Sequence, residues 1–256
     1  MVQEAKLLIK VEISDVKQFT CFFDAVSNTE SCGLLFEPNG LSVNVLNKAH
    51  TCFYALKIDY SYFIEYDVQE PVLVIVDSKD FFNALHSVKK DESLVLIITD
   101  EIVTFQFNRT GVNTRKVSMG VLDDDYESPK PPAIDFPNTA TIDLDILKDV
   151  LVDADKLIRT GTLTLGIQDK YLKLSSNSGD YLFDYENTIQ DSFVEKDINV
   201  ESVFNIDYLE ELLKFKKINN MIELGMGNDM PLTWKIVSDD KLVECSGLIA
   251  PRIENE

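Results

Sequence analysis

The sequence has little cysteine, little histidine and no long apolar run, and each shortage excludes a class of protein. The four cysteines, Cys21, Cys32, Cys52 and Cys245, are scattered and form no C-x-x-C pair, so neither a zinc site nor a redox dithiol is predicted. We expect four buried thiols. No segment approaches the roughly 20 apolar residues that span a bilayer, and "MVQEAKLLIKVEIS" lacks the features of a signal peptide. The sequence therefore predicts an intracellular protein that does not enter a membrane.

The sequence also lacks the residue groupings of catalytic and cofactor sites. It contains two histidines and no nucleophile beside a base, so no catalytic site is predicted. "GMGN" at Gly225 lacks the third glycine of a dinucleotide loop, and no G-K-[ST] is present. Asp123, Asp124 and Asp125 point in alternating directions in an extended chain, which favours a solvated acidic run over a metal site. We expect no enzyme activity, no cofactor and no metal.

Negative charge is abundant on an otherwise ordinary globular composition. The chain carries 44 acidic and 24 basic residues for a formal net charge of -20, and 45% of its 256 residues are apolar. A chain with this apolar content buries a sufficient core without disulfides, so the charge does not indicate disorder.

Two segments of the first half show helical spacing of apolar residues among β-rich segments. "SDVKQFTCFFDAVSN" predicts a helix from about Asp15 to Asn28 that Ser14 caps. "DSKDFFNALHSV" predicts a second helix with three apolar residues along one face, Phe81, Phe82 and Leu85. Segments such as "LSVNVL" and "IVTFQF" predict antiparallel strands between and after these helices.

The second half repeats this order, which predicts two similar α+β domains. The helical segments "TIDLDILKDVLVDADKLI" and "NIDYLEELLKF" take the places of the first two. Helix starts lie 64 residues apart in both halves, counted as 78 − 14 and 206 − 142. The intervening "LDDDYESPKPPAIDFPN" contains four prolines and predicts an extended, semi-rigid linker. We expect an N-terminal domain at 1–122, a linker at 123–137 and a C-terminal domain at 138–256.

The order of several motifs resembles that of the sliding clamps of the proliferating cell nuclear antigen family. The motifs are "GLSVNVLNKAH", "NIDYLEELLKF", "NDMPLTWKIV" and the terminal "LIAPRIENE", with "LDDDYE" in the place of the interdomain connecting loop. The resemblance covers nearly the whole chain and implies the DNA clamp fold, with two helices packed on antiparallel sheets in each domain. It also implies that three chains close head to tail around duplex DNA, as a processivity factor in the nucleus of a eukaryote or in the cytoplasm or nucleoid of an archaeon or virus.

In a ring of this negative charge, the inner wall must repel the DNA phosphates less than the rest of the surface does. Basic residues on the short helices fit that position. The DNA-facing residues predicted with the resemblance are Lys17, Lys79, His86, Lys89, Lys90, Lys148, Lys156, Lys214, Lys216 and Lys217. The alternative is a set of solvated helix faces, with lysines near helix C-termini favoured by the dipole. Asp24, Asp145 and Asp207 stand where the family commonly has further bases, which predicts weak contact with DNA.

The resemblance also implies a hydrophobic pocket on the front face of the ring for short peptide motifs. By position the pocket residues are Leu46, His50, Tyr126, Pro231, Leu248, Ile249, Ala250 and Pro251. The expected partners are DNA polymerase, the clamp loader, DNA ligase and flap endonuclease, whose apolar anchors fit such a groove. Each residue has a structural alternative: Tyr126 pins the linker, His50 is a satisfied loop residue, or Leu248 is strand core.

Head-to-tail assembly requires two exposed strand edges. We expect these at Arg115 to Val121 of one chain and Tyr181 to Tyr185 of the next, in a homotrimer. The alternative function is a protein-interaction scaffold with the clamp fold, or one subunit of a heteromeric clamp, that does not encircle DNA alone.

Overall fold

The structure of the protein is a computed structural model that describes residues 6–13, 15–109, 111, 114–123, 125–131, 134, 136, 138–157, 161–168, 171–177, 182–188 and 199–252. These residues form β-strands and four α-helices, which confirms the predicted α+β class. Predicted features at Ser14, Asp124, Tyr181 and Glu254 to Glu256 lie outside the described residues.

The chain divides into two compact units. The first consists of Met1–Lys48, Tyr54–Lys130 and Ser238–Cys245, and the second of Ala49–Phe53, Pro131–Val237 and Ser246–Glu256. The domain boundaries expected from the sequence, at 122 and 138, stay a prediction.

The first unit contains two antiparallel strand sets. Its strands are β1 (Leu7–Ile13), β2 (Ser31–Glu37), β3 (Gly40–Leu46), β4 (Cys52–Asp59), β5 (Phe63–Tyr66), β6 (Val72–Asp77), β7 (Ser93–Thr99), β8 (Ile102–Asn108) and β9 (Arg115–Gly120). β4 belongs to this unit from Tyr54 onward. One set has the order β5-β1-β7-β8-β9, and the other runs β4-β3-β2-β6. Within the described strands β9 has one neighbour, β8, so it is an edge strand.

The second unit contains the remaining strands. They are β10 (Thr139–Asp143), β11 (Thr162–Gln168), β12 (Tyr171–Asn177), β13 (Leu182–Thr188), β14 (Asn199–Asn205), β15 (Met221–Gly225), β16 (Leu232–Val237) and β17 (Val243–Ile249). β17 belongs to this unit from Ser246 onward. One sheet has the order β13-β12-β11-β14, and the other strands run β10-β15-β16-β17. Among the strands described, β13 pairs with β12 alone and is the edge of its sheet.

Short helices connect the strands, and their starts follow local capping chemistry. They are α1 (Val16–Val26), α2 (Ser78–His86), α3 (Leu144–Leu157) and α4 (Ile206–Glu211), the last continued by a 3-10 segment at Leu212–Lys217. Asp15, Asp77 and Asn205 accept backbone N–H groups in the first turns of α1, α2 and α4, as N-cap side chains do. The N-cap of α1 is Asp15, so the prediction that Ser14 caps this helix is wrong. α2 begins 62 residues after α1 (78 − 16) and α4 62 after α3 (206 − 144), so the spacing is equal in both halves, as predicted, but shorter than 64.

The aromatic residues of α1 and α2 join in one core. Phe19, Phe23 and Phe81 are buried, and the rings of Phe23 and Phe81 lie 4.8 Å apart. Phe82 was expected on the same face, but it is half-buried and contacts His86, with ring centroids 5.5 Å apart. The four cysteine side chains are buried, as predicted. Burial raises the pKa of the Cys32 thiol to about 12, which disfavours a reactive thiolate.

Candidate functional site

The linker begins on the first unit, where Tyr126 packs against the sheet. The Tyr126 hydroxyl donates to the backbone oxygen of Asn44 in β3 at 2.8 Å, and the ring is half-buried. Burial raises the pKa of this hydroxyl, so it remains a neutral donor. Leu46 is half-buried two residues beyond Asn44 and lies on the same face of the strand. The contacts of Tyr126 fit the alternative in which this residue pins the linker.

The C-terminal segment belongs to the second unit and leaves the last strand at Ile249. Leu248 is 9% exposed and Ile249 is 1% exposed, so both side chains are largely in the interior. Beyond them, Ala250 N–H donates to the Thr51 oxygen at 2.7 Å and Arg252 N–H donates to the Val203 oxygen at 2.7 Å. Pro251, which has no N–H, stands between these two donors. The strand therefore ends before Pro251, which offers no N–H to a ladder, and an extended strip follows it.

His50 and Pro231 lie at turns of the second unit. His50 is exposed and has a φ of 56°, a conformation that is uncommon outside glycine. Pro231 is half-buried just before β16. The preceding Met230 N–H donates to the Ser202 hydroxyl at 3.2 Å, which holds this turn against β14.

A cavity of about 250 Å³ lies in the second unit where the end of the linker crosses the strands. Leu248 lines it, together with four apolar residues that the sequence interpretation missed: Phe53, Pro131, Ile134 and Phe136. Trp234, Thr233 and Lys235 of β16 complete much of the remaining wall. Of the predicted pocket residues, Leu248 lines this cavity. Leu46 and Tyr126 belong to the first unit.

Two glycines make room for Phe136 beside this cavity. A Cβ added at Gly227 would lie 2.8 Å from the Phe136 ring, and one added at Gly225 would lie 3.4 Å from it. Phe136 is 9% exposed, so the ring fills the space that these glycines leave. The alternation of Ile134 and Phe136 within an otherwise polar, proline-rich linker marks these two residues as apolar, but the contact with the glycines has no local signal.

The predicted DNA-facing residues lie on or beside the helices and are accessible. Lys214 is half-buried, and the other nine are exposed: Lys17, Lys79, His86, Lys89, Lys90, Lys148, Lys156, Lys216 and Lys217. Several of the second unit's lysines contact carboxylates. Lys156 lies 3.4 Å from Asp153, Lys214 lies 2.6 Å from Glu211, and Lys216 contacts Asp145.

Acidic residues share the helix faces with these lysines. The exposed acids of α3 are Asp145, Asp149, Asp153 and Asp155. The hydrogen bond from Lys216 lowers the pKa of Asp145. Burial raises the pKa of Glu210 in α4, and the negative charges of Asp155, Asp207 and Glu211 raise it further. The helix faces of the second unit are thus of mixed charge, which disfavours tight binding to phosphates by contact alone.

Neither a metal cluster nor a membrane helix is found in the described part of the chain. No group of three or more His, Cys, Asp or Glu side chains there is arranged to hold a metal ion. None of its helices has the length and hydropathy that a bilayer crossing requires.

No protein-family model matches the chain, but individual proteins resemble it from end to end. The DNA polymerase sliding clamp of Methanobrevibacter smithii is 28% identical over 256 residues, with 97% of this chain and 100% of the relative covered. The DNA polymerase sliding clamp of Methanothermobacter thermautotrophicus is 27% identical over 252 residues, with the same coverage.

Solved structures resemble the chain in fold. The proliferating cellular nuclear antigen of Entamoeba histolytica has a TM-score of 0.84 at 15% identity, with 97% of this chain and 100% of that chain covered. The PCNA of A. fulgidus, bound to the C-terminal region of FEN-1, has a TM-score of 0.84 at 18% identity and the same coverage. A PCNA2–PCNA3 complex of Sulfolobus tokodaii has a TM-score of 0.80 at 23% identity over 96% of this chain and 100% of that chain. Along its length the chain is thus similar in sequence to proteins named DNA polymerase sliding clamps, and it has the fold of the proliferating cell nuclear antigen structures.

Proposed function

We propose that the chain is a DNA polymerase processivity factor, a ring-shaped clamp that encircles duplex DNA and tethers replication and repair enzymes. The observation that carries this proposal is the likeness, along 97% of the chain, to proteins named DNA polymerase sliding clamps. A clamp holds other proteins at DNA and uses no catalytic residue or cofactor of its own. It works inside the cell, in whichever compartment holds the DNA.

Assembly uses the two edge strands. β9 of one chain pairs with β13 of the next, and three identical chains close the ring. The support is that both strands have one paired and one unpaired edge among the described strands. An unpaired edge presents a row of backbone donors and acceptors that needs a partner, and a head-to-tail contact closes when its rotation permits.

DNA is retained by enclosure more than by contact. The exposed lysines of the helices line the hole, while the neighbouring aspartates limit the net positive charge there. Enclosure requires only that the wall does not strongly repel the duplex, whereas contact binding requires neutralised phosphates. The ion pairs at Lys156, Lys214 and Lys216 support weak, salt-sensitive contact.

Partner enzymes dock short peptide motifs at the cavity of the second unit and the C-terminal strip. The aromatic and aliphatic wall from Phe53, Ile134, Phe136 and Leu248 suits the apolar anchors of such a motif. The partners are DNA polymerase, clamp loader, DNA ligase and flap endonuclease. The A. fulgidus PCNA bound to the C-terminal region of FEN-1 supports the last of these.

A second candidate is one subunit of a heteromeric ring, or a scaffold of the same fold that does not encircle DNA alone. The PCNA2–PCNA3 complex, which resembles this chain in fold, and the four exposed aspartates of α3 favour it. Processive synthesis on a primed single-stranded circle separates the two candidates. The homomeric clamp predicts longer products when the chain is added with a cognate loader and polymerase. Product lengths that do not change, while a known clamp lengthens them in the same mixture, would reject it.

A further inference from the structure

One row of three paired residues crosses the sheet of the first unit beneath the start of the linker. Gly33 of β2 stands opposite Asn44 of β3 on one side and Ile75 of β6 on the other. The linker is attached at both ends of this row. Leu122 N–H donates to the Ile75 oxygen at 2.9 Å, and the Tyr126 hydroxyl donates to the Asn44 oxygen at 2.8 Å. The linker is therefore held to β6 at Leu122 and to β3 at Tyr126.

The middle of the row is a notch that the Tyr126 ring fills. A Cβ added at Gly33 would lie 2.5 Å from Cε1 and 2.8 Å from Cδ1 of Tyr126, and 3.0 Å from Cδ1 of Leu73. Contacts under 3.0 Å require the ring to move. The φ of Gly33 is not positive, so the backbone conformation does not require glycine here. Glycine fits because a larger side chain would collide with the Tyr126 ring. The ring, the notch, Leu73 and the Asn44 oxygen together are called the Tyr126 latch.

We infer that the Tyr126 latch is a positioning device that fixes where the linker leaves the first unit. It thereby restrains the start of the short segment that continues to Pro131, a residue that lines the cavity of the second unit. Four residues separate Tyr126 from Pro131, and one of them is Pro129. Proline fixes φ and restricts its preceding neighbour to extended conformations. A segment with two prolines in this short span is stiffer than a flexible linker, so release of Tyr126 changes the freedom of the chain that continues to Pro131.

The second half of this inference rests on the proposed function, because it concerns docking of a partner peptide. The first half concerns the chain alone. Release of the latch frees the linker whether or not any partner binds. Protease cleavage therefore tests the latch, and peptide binding tests its effect on docking.

The first measurement is cleavage by a glutamate-specific protease after Glu127, which is exposed next to the latch. Gly33→Ala and Tyr126→Ala should each raise the rate of this cleavage by about tenfold or more, because proteolysis follows the population of the opened state. The double variant should be cleaved no faster than Tyr126→Ala, since Gly33→Ala acts by displacing a ring that is then absent. Cleavage at the wild-type rate in Gly33→Ala, or additive effects in the double variant, would overturn the latch.

Controls separate release of the linker from loss of stability. Tyr66→Phe removes a hydroxyl of the same unit that donates to Glu37 and Gly40, and it should leave cleavage after Glu127 unchanged. Tyr126→Phe keeps the ring and loses one hydrogen bond, so its cleavage rate should fall between those of wild type and Tyr126→Ala. Equal acceleration in Tyr66→Phe would show general loosening and overturn the assignment.

The second measurement is calorimetric titration of a peptide with one Gln, one aliphatic and two aromatic anchors. Gly33→Ala should weaken its binding severalfold although residue 33 does not line the cavity. If Gly33→Ala is cleaved faster but binds the peptide as tightly as wild type does, the latch holds the linker without affecting docking, and its positioning role is overturned. No binding by the wild-type chain would count against peptide docking in the proposed function, and the cleavage result would still decide the latch.

Discussion

Arg115 and Glu92 form an ion pair at 2.8 Å that ties the first residue of the edge strand β9 to the segment after α2. The same guanidinium donates to the Ser87 oxygen at 2.8 Å and lies 3.9 Å from the centre of the Phe107 ring. The hydrogen bond from Arg115 is the largest of the effects that lower the pKa of Glu92. The side chain of Arg115 thus attaches β9, the strand proposed for ring assembly, to the C-terminal end of α2.

Replacing Arg115 should therefore weaken the ring more than the fold. In Arg115→Gln the edge strand loses its charged tie, and we expect the dissociation constant of the assembled ring to rise roughly tenfold, as for loss of a charge-assisted hydrogen bond. Sedimentation velocity over a range of concentrations measures this, and Lys10→Gln, which removes an exposed pair with Glu65, is the control. Equal assembly of Arg115→Gln and wild type would contradict a role for β9 at the interface.

Removing the carboxylate that Lys216 contacts should strengthen contact with DNA. Asp145→Asn releases Lys216 and removes one negative charge from α3, so affinity for a short duplex should rise about three- to tenfold at low salt. Fluorescence anisotropy at 50 and 200 mM salt tests this, with the gain shrinking at the higher salt. Asp67→Asn, an exposed loop change in the first unit, is the control. A gain of equal size in the control would mean that only net charge matters.

Glu210 should limit stability near neutral pH. Its pKa is raised in the folded chain by burial and then by Asp155, Asp207 and Glu211, so the folded state holds its proton more tightly than the unfolded state does. The resulting stabilisation is present below the ordinary pKa of the group and is lost as pH rises through the raised value. Glu210→Gln should thus have a higher unfolding midpoint than wild type at pH 7 and an equal one at pH 4. Glu70→Gln, an exposed change in the first unit, should show no such difference, and a pH-independent gain in Glu210→Gln would contradict the cause given.

The cavity wall should carry most of the affinity for a partner peptide. The double change Ile134→Ala with Leu248→Ala should weaken binding of the peptide by about 2 kcal/mol or more, as truncated anchors do. Ile64→Ala, a change at a 66% exposed side chain of the first unit, should leave affinity unchanged. Ile249→Ala is a poor probe, because this side chain is 1% exposed and its truncation should cost about 2–5 kcal/mol of folding free energy. Unchanged calorimetric affinity of the double variant with an intact ring would remove this cavity as the docking site.

Local patterns predicted the helices because helical spacing follows from neighbours in the sequence, whereas the edge strands were expected from the resemblance to ring-forming clamps. Phe19 and Phe23, for example, recur at helical spacing in the first predicted helix. The packing of the linker side chains could not be predicted in the same way. Whether Tyr126 and Phe136 pack down or face solvent depends on glycines far along the chain, at Gly33 for the first and at Gly225 and Gly227 for the second. A notch made by a missing side chain leaves no local periodic signal.

The central claim is topological enclosure, and retention on a closed DNA circle tests it most directly. The chain is loaded onto nicked circular duplex with a cognate loader and ATP, the complex is isolated by gel filtration, and a restriction enzyme then cuts the circle. Enclosure predicts co-elution with the circle at a salt concentration that abolishes binding to short duplexes, and release after linearisation. Retention that survives linearisation, or no retention with a loader that is active on another clamp, would contradict the account.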